Sequence, residues 1–294
     1  MPSYKFIVNP IAGGGKAASL MPKIKTIFEE EKAEYDIYTT RGPRDAIEAA
    51  SRAADVGFEV VVAVGGDGTV NEVLNGIAHT DSILAAVHGG KGNDFARAVD
   101  MPREINAACK ALLRAETRSI DLGRVMGRYF INSVGVGFDA SVAERVNKGG
   151  LPFKGITAYI YAFFEKLLSY EPVDMEIDLG SGPYQDRPLL VAVGIGQAYG
   201  GGMKIVSDAI QDDGLFDVCI MQPMGRFRTV YIFPKVFMGT LKYEKEAGMY
   251  RTSEIKLKLS EPRPLHLEGE ILIGDEMHFT LEHKAMKVLT GHAV

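Results

Sequence analysis

Cysteine is nearly absent: Cys109 and Cys219 are the only two in 294 residues. They have no close ligand partners, which excludes a disulfide framework and a cysteine-based zinc site and fits a reducing cytoplasm. Long hydrophobic runs are missing as well. No stretch approaches the ~18 apolar residues of a membrane span, so no transmembrane segment is expected and a lipid partner would be met by peripheral association. The start, Met1-Pro2-Ser3-Tyr4-Lys5, lacks the basic-then-apolar pattern of a secretion signal. Positive charge is not in excess. With 33 Lys and Arg against 38 Asp and Glu the net charge is -5, so there is no global basic field to attract nucleic acid. Internal repeats and low-complexity linkers are also lacking. The length fits about two domains of roughly 100–200 residues each.

What is present centres on one stretch, Val60-Val61-Val62-Ala63-Val64-Gly65-Gly66-Asp67-Gly68-Thr69-Val70-Asn71-Glu72-Val73-Leu74. Five apolar residues, four of them β-branched, read as a strand buried on both faces. Glycines and an aspartate then turn the backbone where no Cβ obstructs a ligand. Val70, Val73, Leu74 and Ile77 recur at helical spacing, so a helix leaves the turn. Such a turn aims backbone N–H groups and the positive end of the helix dipole at whatever lies above it, which makes it an anion site. Packing alone would also explain the glycines.

Strands and helices alternate through the first 120 residues. Phe6-Ile7-Val8 precedes Asn9-Pro10-Ile11-Ala12-Gly13-Gly14-Gly15-Lys16, and Leu20, Met21, Ile24, Ile27 and Phe28 mark a helix face. The Gly-Gly-Gly-Lys run is no P-loop, because Ala17 stands where Ser or Thr should bind magnesium and Pro10 where the first glycine belongs. Tyr35 to Thr39 is a second strand, followed by a small-residue helix face at Ala46, Ala49, Ala50, Ala53 and Ala54. Ile83 to Val87 is another buried strand, ending in the loop His88-Gly89-Gly90-Lys91-Gly92-Asn93-Asp94, with Asn93 or Asp94 a cap for the next helix. The alternation predicts a mostly parallel sheet with ligands beyond the carboxyl ends of its strands.

The pattern changes near Arg118. Ser119–Val125 and Tyr129–Val134 read as a hairpin, and further strands are predicted at 173–179, 189–195, 216–221, 254–259, 265–273 and 277–282. This predicts an antiparallel sandwich or barrel-like domain. Two helices interrupt it: Ile156–Tyr170, rich in aromatics, and Phe227–Tyr243, where Arg226, Arg228, Lys235 and Lys242 accompany Ile232, Phe233, Val236 and Phe237. Pro234 must kink or restart the second. Each helix is either core or a surface for meeting a bilayer.

These residues carry a resemblance. Asn9-Pro10 with Gly13, Gly65 through Glu72, Gly92-Asn93-Asp94-Phe95-Ala96, Asp121-Leu122-Gly123, Gly137-Phe138-Asp139-Ala140, Asp213-Gly214-Leu215 and Glu268-Gly269-Glu270 together resemble the soluble bacterial lipid kinases of the diacylglycerol kinase superfamily. That group is related to sphingosine kinases and more distantly to NAD kinases. The resemblance spans nearly the whole chain. It implies an α/β nucleotide-binding domain over 1–121, to which the chain end 284–294 returns, and an antiparallel β-sandwich lipid-substrate domain over 122–283.

The resemblance also implies roles. Asn9, Gly65, Gly66, Asp67, Gly68, Thr69 and Asn71 would hold ATP phosphates, with Thr40, Lys91, Asn93 and Asp94 completing the nucleotide site. Asp67 and Asp94 match acidic residues at the nucleotide and Mg2+ centre. The Ile210 and Leu215 carbonyls with the Asp213 carboxylate match a structural magnesium site, and Glu268, supported by Glu270, matches the catalytic base. The expected activity is an ATP-dependent lipid kinase acting on diacylglycerol or a similar lipid at a membrane surface. A kinase of a soluble acceptor, closer to NAD kinase, and a catalytically weak nucleotide- or lipid-binding regulator stand beside it. The oligomeric state is left open, a homodimer included.

Two departures matter. His88 and Lys91 replace a proline and a threonine of the family's nucleotide loop, and Glu268 replaces an aspartate at the base. His88 also reads as a strand-end residue satisfied by backbone. Alternation of Leu265, Leu267, Ile271 and Ile273 with His266, Glu268 and Glu270 predicts one strand running through Gly269, with both glutamates on the same face. Neighbouring carboxylates repel, which would raise the proton affinity of one of them.

Overall fold

The computed structural model describes residues 2–153 and 156–291. Two compact units emerge: the first holds the chain up to Leu122, Tyr129–Ile131 and the chain from His283 on, and the second holds Gly123–Arg128 and Asn132–Glu282.

The first unit alternates as its hydrophobic pattern demands. Strand β1 (Tyr4–Val8) leads to α1 (Lys16–Glu30), β2 (Tyr35–Thr39), α2 (Asp45–Asp55), β3 (Val60–Gly65), α3 (Asp67–Ile77), β4 (Ile83–His88), α4 (Asp94–Ala98), α5 (Ile105–Arg114) and β5 (Thr117–Val125). The sheet order β4-β3-β1-β2 is parallel throughout. All six residues of β3 are buried, as a central strand with helices on both faces requires. Ala46, Ala49, Ala50 and Ala53 form the buried face of α2. Their small size lets α3 approach so closely that a Cβ on Gly76 would overlap the Ile47 carbonyl.

The second unit is built from antiparallel ladders. It begins with β6 (Arg128–Phe130, of which Arg128 belongs here), β7 (Ser133–Gly137), α6 (Phe138–Asn147), α7 (Ile156–Ser169), β8 (Met175–Asp178) and β9 (Tyr184–Asp186). Then follow β10 (Leu190–Gly194), β11 (Phe216–Met221), α8 (Arg226–Met238), β12 (Ala247–Thr252), β13 (Glu254–Leu267) and β14 (Glu270–Leu289). The order β12-β11-β10-β7-β13 forms one ladder, and β8 with β9 forms a second on the front half of β13. Between Lys258 and Arg263 the register of β13 shifts, so its first half pairs with β8 and its last residues with β7. The shift brackets Pro262, which has no N–H for a ladder.

Strand β14 outlasts the second unit. Its last residues lie in the first unit, where Val288 pairs with Leu84 of β4. Asp121 of β5 is completely buried there, accepting from His283 Nδ1 at 2.9 Å and the Lys284 N–H at 2.7 Å. The chain end is described as far as Gly291; residues 292–294 lie outside the described residues.

Two elements differ from the sequence reading. Pro234 lies inside α8 without ending it, and the helix stops at Met238 because Gly239 takes the left-handed conformation (φ 68°). Glu268 and Gly269 are not strand residues. They form a two-residue turn with φ 49° and 97°, joining β13 to β14 across the Leu267–Glu270 pair. Glu268 and Glu270 therefore do not share one strand face.

Candidate active site

In the first unit the loops after β1, β3 and β4 are pressed together, which only residues without a side chain allow. A Cβ on Gly90 would overlap Gly66 Cα, one on Gly13 would overlap the Gly89 carbonyl, and one on Gly89 would lie 2.8 Å from the Gly65 nitrogen. Asn9 joins the cluster: its Nδ2 donates to Thr69 Oγ1 at 3.2 Å, and its N–H donates to the Val64 carbonyl at 3.0 Å. Packing is thus one reason for the glycines, and the other is what the packing leaves open. Gly66 is the N-cap of α3 and supplies no side chain, and the N–H groups of Asp67, Gly68 and Thr69 have no partner among the described residues. An uncapped N-terminus of an eleven-residue helix offers unpaired donors and the positive end of its dipole to an anion.

Asp67 has a second task that no local pattern announced. Its Oδ1 accepts the N–H groups of Asp94 at 2.6 Å and Phe95 at 3.2 Å, so it caps α4 from another loop. Asn93, expected with Asp94 as a candidate cap, occupies the N-cap position at φ 57° without capping the helix through its side chain; its amide turns back on Gly90, donating to the carbonyl at 2.9 Å and accepting from the N–H at 2.8 Å. Asp94 is buried and its carboxylate is ion-paired with Arg97. Asp67 Oδ2 is the oxygen left over.

Two expected nucleotide residues have other partners, and a third has none among the described residues. The Asn71 side chain is fully buried and donates to the Tyr129 carbonyl at 2.9 Å, fastening α3 to residues 129–131. Thr40 Oγ1 lies 3.3 Å from the Val8 carbonyl at the end of β2. Lys91 is exposed, with no hydrogen bond or ion pair among the described residues. His88 is a buried strand-end residue with Nε2 2.7 Å from the Met101 carbonyl, as its plainer reading had it. Burial above all, together with the charges of Arg103, Lys16 and Arg97, lowers its pKa from 6.5 and keeps the ring neutral.

In the second unit Glu268 is 5% exposed, and its Oε1 accepts the Asn132 N–H at 2.6 Å. Glu270 pairs with Arg128 at 2.6 Å, so the repulsion expected between two free glutamates is replaced by one hydrogen bond and one ion pair. Nearby, Asp139 Oδ2 gathers the Tyr199 hydroxyl at 2.9 Å and His266 Nε2 at 3.0 Å. Burial, and then the Asp139 charge, push the Tyr199 phenol well above its ordinary pKa. Sequence reasoning missed this cluster. Its two signals were His266, in phase with Glu268, and Gly135, whose Cβ would overlap both Asp139 and His266.

The Ile210, Asp213 and Leu215 set has an occupant that the sequence did not suggest. Asp213 Oδ2 accepts from the guanidinium of Arg251, and its Oδ1 accepts the Leu215 N–H at 3.1 Å. A hard cation takes oxygen ligands, yet here the carboxylate meets a side-chain cation and a peptide N–H. The donor set does not receive a magnesium ion without displacing Arg251.

Comparison with known proteins agrees with this architecture. Residues 3–125 match the diacylglycerol kinase catalytic domain, and residues 132–290 match the YegS C-terminal NAD kinase beta sandwich-like domain. A diacylglycerol kinase of Bacillus subtilis (strain 168) is 31% identical over 273 residues, covering 92% of this chain and 90% of its own. One from Staphylococcus aureus (strain MRSA252) is 32% identical over 268 residues, covering 90% and 85%. The crystal structure of a diacylglycerol kinase from Bacillus anthracis str. Sterne superposes with a TM-score of 0.76 at 22% identity, covering 98% of this chain and 97% of that one, and carries the fold. An α/β unit with an uncapped helix N-terminus over its glycine loops, followed by a β-sandwich unit, is the pair of domains that these two family models describe. The chain belongs to the diacylglycerol kinase family, and it is an ATP-dependent lipid kinase with an alcohol group as acceptor.

Proposed function

We propose that the acceptor is diacylglycerol or a similar hydroxyl-bearing lipid, phosphorylated from Mg-ATP at the surface of a bilayer. The observation that carries this reading is the open N-terminus of α3 over the glycine loops, in a chain whose relatives from Bacillus subtilis and Staphylococcus aureus are named diacylglycerol kinases. The N–H groups of Asp67, Gly68 and Thr69 bind phosphate oxygens and hold the γ-phosphoryl group in position, which is most of what phosphoryl transfer asks of a protein.

The acceptor hydroxyl oxygen attacks the γ-phosphorus, the bond to the β,γ-bridging oxygen breaks, and ADP leaves with the electron pair. The hydroxyl proton goes to the Glu268 carboxylate, whose second oxygen is held by Asn132. Magnesium, when bound with the nucleotide, neutralises phosphate charge. Asp67 Oδ2 suits it, because magnesium is commonly held by one or two carboxylates plus phosphates. Among the described residues no group of three or more His, Cys, Asp and Glu could form an all-protein cage.

Among the described residues no helix is long and apolar enough to cross a membrane. Helices α7 and α8 pack through Phe163 and Phe233, with ring centroids 4.2 Å apart, and expose Phe164, Leu168, Phe227, Tyr231 and Met238. Three of the four basic residues that suggested an electrostatic helix are neutralised within the unit, Arg228 by Glu244 and Glu246, Lys235 by Glu244 and Lys242 by Asp208, while Arg226 donates to the Leu168 carbonyl. This face therefore docks by inserting apolar side chains. Its partner is a bilayer, where a two-chain lipid resides.

The test is a labelled-ATP assay against mixed-micelle lipids with NAD included. Label transferred to diacylglycerol is expected; label found only on NAD would replace the lipid with a soluble acceptor.

A further inference from the structure

The turn before β11 is strongly acidic. Asp208, Asp212, Asp213 and Asp217 fall within ten residues, and Asp208 is neutralised by Lys242. Asp213 and Asp217 converge on one side chain from another strand. Arg251 on β12 is the direct cross-strand partner of Asp217 on β11. From there its guanidinium reaches Asp213 through Nη2, while its Nε lies 3.5 Å from Asp217 Oδ1. Asp217 has only 8% of its side chain exposed, and its Oδ2 is buried without a partner.

The peptide backbone points the same way. Leu215 offers its N–H to Asp213, so one of the two residues whose carbonyls would ligate a metal presents a donor to the carboxylate.

We infer that Arg251 is the resident cation of this turn and does the electrostatic work that the family resemblance assigns to a structural magnesium ion, so that the second unit folds without a divalent metal. A tethered guanidinium is always present at high local concentration and always charged. Magnesium would have to shed water and eject Arg251, leaving two cations side by side. Without Arg251, the Asp213 and Asp217 carboxylates, with side chains 23% and 8% exposed, lose the cation they share, which is destabilising. The turn should then take a divalent ion.

The experiment is thermal unfolding of the full chain, without nucleotide, in EDTA and in increasing MgCl2 at constant ionic strength. For the wild type, Tm should move by no more than about 1 °C. R251M should lose roughly 2–8 °C in EDTA, the scale of an ion pair whose arginine is 44% exposed and therefore partly screened by solvent, and recover much of it in millimolar Mg2+. A wild-type Tm that falls in EDTA and returns with Mg2+ overturns the inference, as does an R251M that ignores the metal. Should R251M not fold, Mn2+ binding to the wild type is followed by electron paramagnetic resonance. A Mn2+ site lost in D213N but kept in D67N overturns it, and the absence of such a site upholds it. None of these readouts depends on which lipid is phosphorylated.

Discussion

Gly68 is the position where packing and phosphate binding can be told apart. Most glycines of the three loops cannot be changed without harming the fold, since a Cβ on Gly65 would overlap Thr69 and one on Gly90 would overlap Gly66. Gly66 itself has only 3.4 Å to Gly90 Cα, so a larger residue there perturbs both loops. A Cβ on Gly68 meets nothing within 4 Å. Gly68 is the second residue of α3, where alanine is preferred over glycine by about 0.5–1 kcal/mol. Gly68→Ala should therefore hold or raise Tm, by up to roughly 4 °C at about 2–4 °C per kcal/mol. If phosphate rests on these N–H groups, the added methyl holds the anion away from them. Losing one charge-assisted hydrogen bond costs about 1.5–3 kcal/mol, or about 10–100-fold in ATP affinity. Calorimetric titration with Mg-ATP and a thermal melt on the same sample read the two effects with opposite signs. An alanine variant of unchanged ATP affinity would show that the glycines serve packing alone.

Glu268→Gln should lower kcat by about 10²–10⁴ at unchanged ATP affinity, because the amide oxygen still accepts from Asn132 while proton acceptance is lost; turnover near wild type would remove Glu268 from the mechanism. Phe227 is 96% exposed, so Phe227→Ser should leave Tm unchanged and weaken co-sedimentation with phosphatidylcholine vesicles about 10–100-fold, the value of one buried aromatic side chain. Added salt should not release the wild type, and release by salt would return the interaction to the basic residues. His88 has a folded-state pKa below its ordinary 6.5, so the native state resists protonation. Its contribution is complete above pH 6.5 and is lost as pH falls through that value toward the depressed one. Wild-type Tm should fall more steeply than that of His88→Gln over this acid range, and parallel profiles would refute the assignment.

The elements that sequence made legible are those whose cause is local. A buried strand, a glycine turn and a helix with a 3.6-residue period define β3, its turn and α3 within eighteen residues, and the mostly parallel sheet follows from repeating that unit. The links that turn the loops into a site were not legible, because they join distant positions. Asp67 caps a helix that begins twenty-seven residues later, and nothing near Asp94 reveals that its own N–H is already taken. The charges of α8 were misleading for the same reason: Arg228 and Lys235 look free until Glu244 folds back on them.

The turn at Glu268 misled in another way. Side-chain direction along a strand alternates with period two, and the two-residue turn pairs Leu267 with Glu270 and Leu265 with Leu272, so odd positions before it share a face with even positions after it. The apolar alternation of Leu265 and Leu267 runs on in the sequence at Ile271 and Ile273, yet those two belong to the opposite face, where Ile273 is 64% exposed. Asn-Gly or Asp-Gly would have marked a hairpin, since both central residues need φ above zero; Glu-Gly does not, yet Glu268 holds φ 49°. What holds it is the Asn132 N–H on its carboxylate. The side chain that the chemistry needs in a buried position is thus also the one that secures its own turn, so its two roles separate only in a substitution that keeps the acceptor oxygen and removes the charge.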